Sequence, residues 1–197
     1  MARSMLNPII KCHVEEAVER LHTAECGAHY MVIYPNSIAL SDLYSSYTHK
    51  QIEENNGVVQ INPFYETTES VRRTLAERYD DGMNDVVKHE KEDLLVIVDS
   101  VEEYFGNPSH LEIKSGLANY CRQRGKSCLS VIADMGAYYY KSMYDNLVDY
   151  EASLPAKFDI PMKGFCLYHK KDFDRLSDEQ KQKLLEHHRK ALKIIET

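Results

Sequence analysis

The sequence predicts an α/β domain in three layers, a mostly parallel sheet flanked by helices. Two observations carry this reading. Short apolar runs alternate along the chain with helical stretches of ten or more residues. The runs themselves (HYMVIY at 29–34, LLVIV at 94–98, CLSVIA at 128–133, GFCLY at 164–168) are apolar almost throughout. A sheet wetted on one face would alternate apolar with polar, so unbroken runs imply strands covered on both faces.

The elements follow in order. Val14, Ala17, Val18 and Leu21 recur at helical spacing within His13 to Glu25, and Gly27 stops that helix. After the strand at 29–34, Pro35-Asn36 breaks the run, and a helix is expected over Ser41 to Asn55 with Ser41 or Asp42 as N-cap. Asn56-Gly57 signals a turn before a short strand at Val58 to Ile61. Glu66 to Glu92 carries a long polar helical pattern, interrupted near Asp80-Asp81-Gly82. The strand at 94–98 ends in Asp99-Ser100, Gly106-Asn107-Pro108 reads as a loop, and the helix Leu111 to Gln123 stops at Gly125. The next strand ends in Asp134-Met135-Gly136, and one helix is expected from Tyr139 to Ser153. Ser177 with Gln180 forms a capping box for a final helix expected to run to Ile195, its stripe made of Leu184, Leu185, His188, Ala191, Leu192 and Ile195.

At 197 residues the chain suffices for one core, and no linker or internal repeat divides it, so one domain over 1–197 is expected. The net charge of -7 and pI near 5.7 argue against nucleic acid as a partner. Its basic clusters, Lys170-Lys171, Lys181 to Lys183 and Arg189-Lys190, are short and read as wet faces. Five cysteines without framework spacing, and no secretory h-region, predict free thiols in a cytoplasmic chain. No apolar run approaches the ~20 residues of a membrane span. Tyrosine is abundant at 14 residues while tryptophan is absent, which suits half-buried surfaces and ligand pockets.

Ligands of parallel sheets gather at the carboxyl ends of the strands. Those ends carry Tyr34-Pro35-Asn36, Asn62-Pro63, Asp99-Ser100, Asp134-Met135-Gly136 and His169. A nucleotide hydrolase would need a glycine-rich loop and a lysine after the first strand, where this chain has YPNSIALSDLYSSY. The usual route of ATP hydrolysis is therefore excluded. Asp99 and Asp134 are read equally as helix N-caps and as ligand contacts. The pairs Cys26-x-x-His29 and Cys166-x-x-His169 share a spacing, but three residues along a strand place side chains on opposite faces. Zinc needs about four converging ligands, so neither a metal nor any other cofactor is assigned. His188 reads as a hydrogen-bonded core histidine, and a cysteine–histidine pairing across strands stays open. No G-x-S-x-G nucleophile elbow is present, so no catalytic residue is assigned.

Gly27-x-His29 entering a strand, Asp134-Met135, Tyr150-Glu151, the run Gly164-Phe165-Cys166-Leu167-Tyr168, then Phe173 and His187-His188 together resemble the MEDS family, the methanogen/methylotroph sensory domain of the dichloromethane-responsive regulator. The resemblance runs over most of the chain and is strongest from about Asp134 to Ile194. It implies a RecA/KaiC-like scaffold without a P-loop. It also implies a non-catalytic role in sensing small organic molecules such as hydrocarbon derivatives, upstream of a histidine kinase or DNA-binding regulator. Gly27, His29, Asp134, Met135, Tyr150, Glu151, Cys166 and Tyr168 are the positions that match. This chain departs from the pattern in having Gly136-Ala137-Tyr138 where a tryptophan follows Asp-Met, and in carrying no output domain.

The expected site is thus a pocket for a small organic ligand at the strand ends, lined by Tyr34, Asp99, Asp134, Tyr138, Tyr139 and His169; the same tyrosines read equally well as packing. The alternatives are an assembly module that associates with further copies of itself, and an atypical nucleotide-binding enzyme.

Overall fold

Strands buried on both faces sort their side chains by parity, and this parity builds the two cores. In the computed structural model, which describes residues 8–106 and 110–196, Tyr30, Val32 and Tyr34 of one strand enter a core on one face, while Met31 and Ile33 enter the core on the other. Phe165 and Leu167 against Cys166 and Tyr168, and Ile132 against Val131 and Ala133, divide the same way.

Among the described residues seven strands make up one sheet: β1 (Ile9–Cys12), β2 (His29–Tyr34), β3 (Val58–Asn62), β4 (Leu95–Ile97), β5 (Leu129–Asp134), β6 (Met162–His169) and β7 (Lys190–Ile194). Every ladder is parallel, and the order is β1-β7-β2-β6-β5-β3-β4. Helices α1 (Val14–His22), α2 (Ser37–Glu53), α3 (Thr68–Ala76) and α4 (Met83–Lys91) supply the first core. Helices α5 (His110–Gln123), α6 (Gly136–Tyr140), α7 (Tyr144–Ser153) and α9 (Asp178–His187) contribute to the second, and the short α8 (Lys170–Phe173) follows β6 directly. The expected three-layer α/β architecture is what forms. No helix among the described residues is long and apolar enough to cross a membrane.

Several elements differ from expectation. The final helix stops at His187, and residues 190–194 are a strand. The capping box is present at Ser177 and Gln180 as expected, but His188 turns extended (φ -110°, ψ 134°). Ala191 then enters one core while Leu192 and Ile194 enter the other, because β7 lies between β1 and β2. So short an apolar run fits either period, and the pairing decides. Likewise, the one helix expected from Tyr139 to Ser153 is two, broken at Ser142, whose φ is 55°. The helix expected from Ser41 begins at Ser37, because Asn36 is its cap and accepts the Ala39 N–H at 3.0 Å. Of the expected loop 106–108, Asn107 and Pro108 lie outside the described residues.

The thiols also differ. Cys26 and Cys128 form a disulfide between the loop entering β2 and the loop entering β5, while Cys12, Cys121 and Cys166 are buried thiols outside that bond.

Candidate functional site

The residues singled out from the sequence fall into two groups, set apart by strand parity and height along the sheet. Tyr34, Asp134 and His169 meet at the carboxyl edge. The Tyr34 hydroxyl donates to Asp134 Oδ2 at 2.7 Å, the Gly136 N–H donates to Oδ1 at 2.8 Å, and Ser100 Oγ donates to the Asp134 carbonyl at 2.9 Å. Asp134 is 2% exposed, and burial lifts its carboxyl to about 7, although the Tyr34 and Gly136 bonds pull it down. The His169 ring packs on Tyr34 and Tyr65, and its Nδ1 accepts the Lys171 N–H to cap α8. Tyr65, which the sequence did not single out, donates its hydroxyl to Asp172. Both oxygens of Asp134 are thus engaged within the protein.

Asp99 behaves as a cap: it is exposed, and Oδ1 accepts the N–H groups of Val101 at 2.9 Å and Glu102 at 3.1 Å. The place where a phosphate loop would sit is also spoken for. Asn36 occupies the α2 N-terminus with Oδ1, while its Nδ2 donates to Glu196. Met135 and Tyr139 are buried in the second core, as is Tyr168. Tyr138 stacks on Tyr150 with ring centroids 5.9 Å apart. Gly27 has a conformational role. Its φ is +98°, and an added Cβ would lie 2.7 Å from the Phe158 carbonyl oxygen.

The second group lies on the opposite face, under α7. His29 opens β2, and its register partner on β6 is Gly164, two residues before Cys166. His29 and Cys166 therefore share a face on neighbouring strands, and Nε2 and Sγ are 3.4 Å apart. Glu151 descends from α7, with Oε2 at 3.5 Å from His29 Nε2 and 3.2 Å from His188 Nε2. His188 arrives from the turn between α9 and β7. His29, Glu151 and His188 are 0% exposed and Cys166 is 5% exposed.

The tautomers are set by the backbone. A carbonyl only accepts, so His29 Nδ1 donates to the Pro155 carbonyl at 3.1 Å and His188 Nδ1 donates to that of Leu184 at 2.7 Å. In the neutral rings both Nε2 lone pairs consequently face the Glu151 carboxylate. Burial pushes the His29 imidazole below its ordinary value. Burial would raise Glu151, but donation from the Nε2–H groups of protonated His188 and His29 holds it below the usual carboxylate range.

A cavity of about 30 Å³ adjoins this cluster. His29, Cys166 and Gly164 form its floor, and Tyr104, Tyr150 and Phe158 are among its walls. Gly164 keeps it open, since a Cβ there would lie 2.8 Å from Phe158 Cε2. The space accepts about two water-sized groups.

Of the two C-x-x-H pairs, neither closes on itself. Cys26 is bonded to Cys128, and Cys166 and His169 face opposite sides of the sheet, as strand parity requires. One member of each pair, His29 and Cys166, meets across the strands instead. No protein-family model matches the chain, and no curated protein matches it in sequence.

Proposed function

We propose that the domain is a sensory, non-catalytic module that takes a small organic molecule into the cavity beneath α7. The observation that carries this reading is the cavity itself, an apolar space with two polar groups, His29 and Cys166, on its floor. Aromatic walls with a few convergent polar groups are the usual construction of a small-molecule site. Its size selects ligands of two or three non-hydrogen atoms, such as short alcohols, thiols and halomethanes. The resemblance to the MEDS sensory family is part of the same proposal and supports the same ligand class. The site differs from the one expected at the strand ends, where Asp134 is already satisfied by Tyr34 and Gly136.

A Cys–His catalyst is the weaker reading. Reactive cysteines occupy electropositive, partly exposed surroundings. Cys166 is buried beside a cluster that contains the Glu151 carboxylate.

Ligand-observed NMR with a panel of C1 and C2 alcohols, thiols and halomethanes tests the proposal. At least one class binds the wild-type chain, and Ala133→Val, which puts two methyl groups into the cavity, abolishes that binding while far-UV circular dichroism stays unchanged. Absence of binding by the whole panel, or equal binding by the folded Ala133→Val variant, refutes it.

A further inference from the structure

We infer that His29, Glu151, Cys166 and His188 form a site for one divalent transition-metal ion of the zinc class. The inference goes beyond the ligand reading and does not depend on it. The four side chains each present one ligating atom, and these atoms all lie within 4.8 Å of one another.

Three of the six ligand-to-ligand edges match those of a tetrahedron. With Zn–N and Zn–O bonds of about 2.0–2.1 Å and a Zn–S bond of about 2.3 Å, tetrahedral angles place neighbouring N and O ligands about 3.3 Å apart and N and S about 3.6 Å apart. The observed edges are 3.5 Å for His29 Nε2 to Glu151 Oε2, 3.2 Å for His188 Nε2 to the same oxygen, and 3.4 Å for His29 Nε2 to Cys166 Sγ.

The surroundings fit equally well. Metal-ligating histidines typically donate their other ring N–H to a carbonyl or carboxylate, which fixes the tautomer and aims the free nitrogen. Both histidines do so, through Pro155 and Leu184. With both imidazoles neutral, two Nε2 lone pairs and a carboxylate converge at zero exposure, and a cation placed between them offsets the buried negative charge. A dication with one thiolate, one carboxylate and two neutral imidazoles has no net charge, which is what a dry interior tolerates best. The donor set excludes calcium and magnesium, which take oxygen ligands, and favours zinc with its mixed nitrogen and sulfur preference. Three of the ligands stand on or beside the adjacent strands β7, β2 and β6 and the fourth on α7, so rigid elements hold the geometry.

Protein expressed with supplemental zinc and purified without chelator is unfolded in denaturant, and the released metal is quantified. One equivalent of zinc per chain is expected. The chain is also refolded with cobalt(II) in place of zinc, which should give the intense visible bands of a tetrahedral site together with a thiolate-to-cobalt charge-transfer band. Cys166→Ser removes the charge-transfer band and retains the fold by circular dichroism. The wild-type spectrum decides the matter if that variant does not fold. Zinc far below one equivalent, the absence of tetrahedral cobalt bands in the wild-type chain, or a charge-transfer band undiminished in folded Cys166→Ser overturns the inference.

Discussion

Replacing Asp134 with Asn changes how stability responds to pH. The carboxyl sits at the end of β5 at 2% exposure, and burial lifts it from 3.8 to about 7, with the nearby Asp172 and Glu66 charges acting in the same direction. An unfolded Asp releases its proton near 3.8, whereas the folded one keeps it to about 7. Between those values the folded chain binds more protons, so the contribution of Asp134 to stability falls as pH rises and reaches its floor above about 7. A rise of about three units at 1.36 kcal/mol per unit corresponds to about 4 kcal/mol across the window. Asn keeps the acceptor for the Gly136 N–H and turns its amide to the Tyr34 oxygen, so its intrinsic cost is independent of pH. Urea unfolding of oxidised wild-type and Asp134→Asn protein at pH 4 to 9 measures the effect. The variant gains about 4 kcal/mol relative to wild type between pH 4 and 8, with the other titrating groups cancelling in the difference. Two curves that run parallel to within about 1 kcal/mol across the window would refute the buried-carboxyl argument.

Two further outcomes follow from the covalent and backbone features. In denaturant without reductant the chain titrates three thiols, from Cys12, Cys121 and Cys166, and five after reduction. Reduction of the disulfide, which closes a separation of 102 residues, lowers unfolding stability by about 2–4 kcal/mol; five thiols before reduction would contradict the pairing. Gly27→Ala forces a Cβ to within 2.7 Å of a backbone oxygen at a φ of +98° and costs at least about 2 kcal/mol, a drop of at least about 4 °C in melting temperature. A melting temperature within 1 °C of wild type would show that the loop relaxes freely.

The sheet was legible because burial on both faces leaves a local signature. HYMVIY, CLSVIA and GFCLY are unbroken apolar runs, and the strands they form, β2, β5 and β6, each have a neighbour on both sides. β1 was not legible, since Ile9–Cys12 is an edge strand of four residues with a half-exposed pattern. β7 was masked by a helical period that runs on past His187. The site shows the same division. Strand parity excludes chelation by Cys166 and His169, and that much is local. What joins Cys166 to His29, 137 residues away along the chain, is the register His29 to Gly164, a relation between segments that no local spacing encodes. His188 carried the right chemistry on the wrong element. Glu151 came only through the family resemblance, because a lone glutamate on a polar helix has no local mark of burial.

The place of β7 has a consequence for the order of assembly. Among the described residues its neighbours are β1 and β2, and β1 pairs with no other strand. During synthesis β2 to β6 can pair as they emerge, but residues 9–12 have no ladder to join until 190–194 are made. The strand that admits β1 is also the one whose approach delivers His188 to Glu151. One segment therefore serves both ends: the strand that ties β1 to the sheet also carries His188 to the four-residue cluster, so loss of that strand would open the edge and the cluster together.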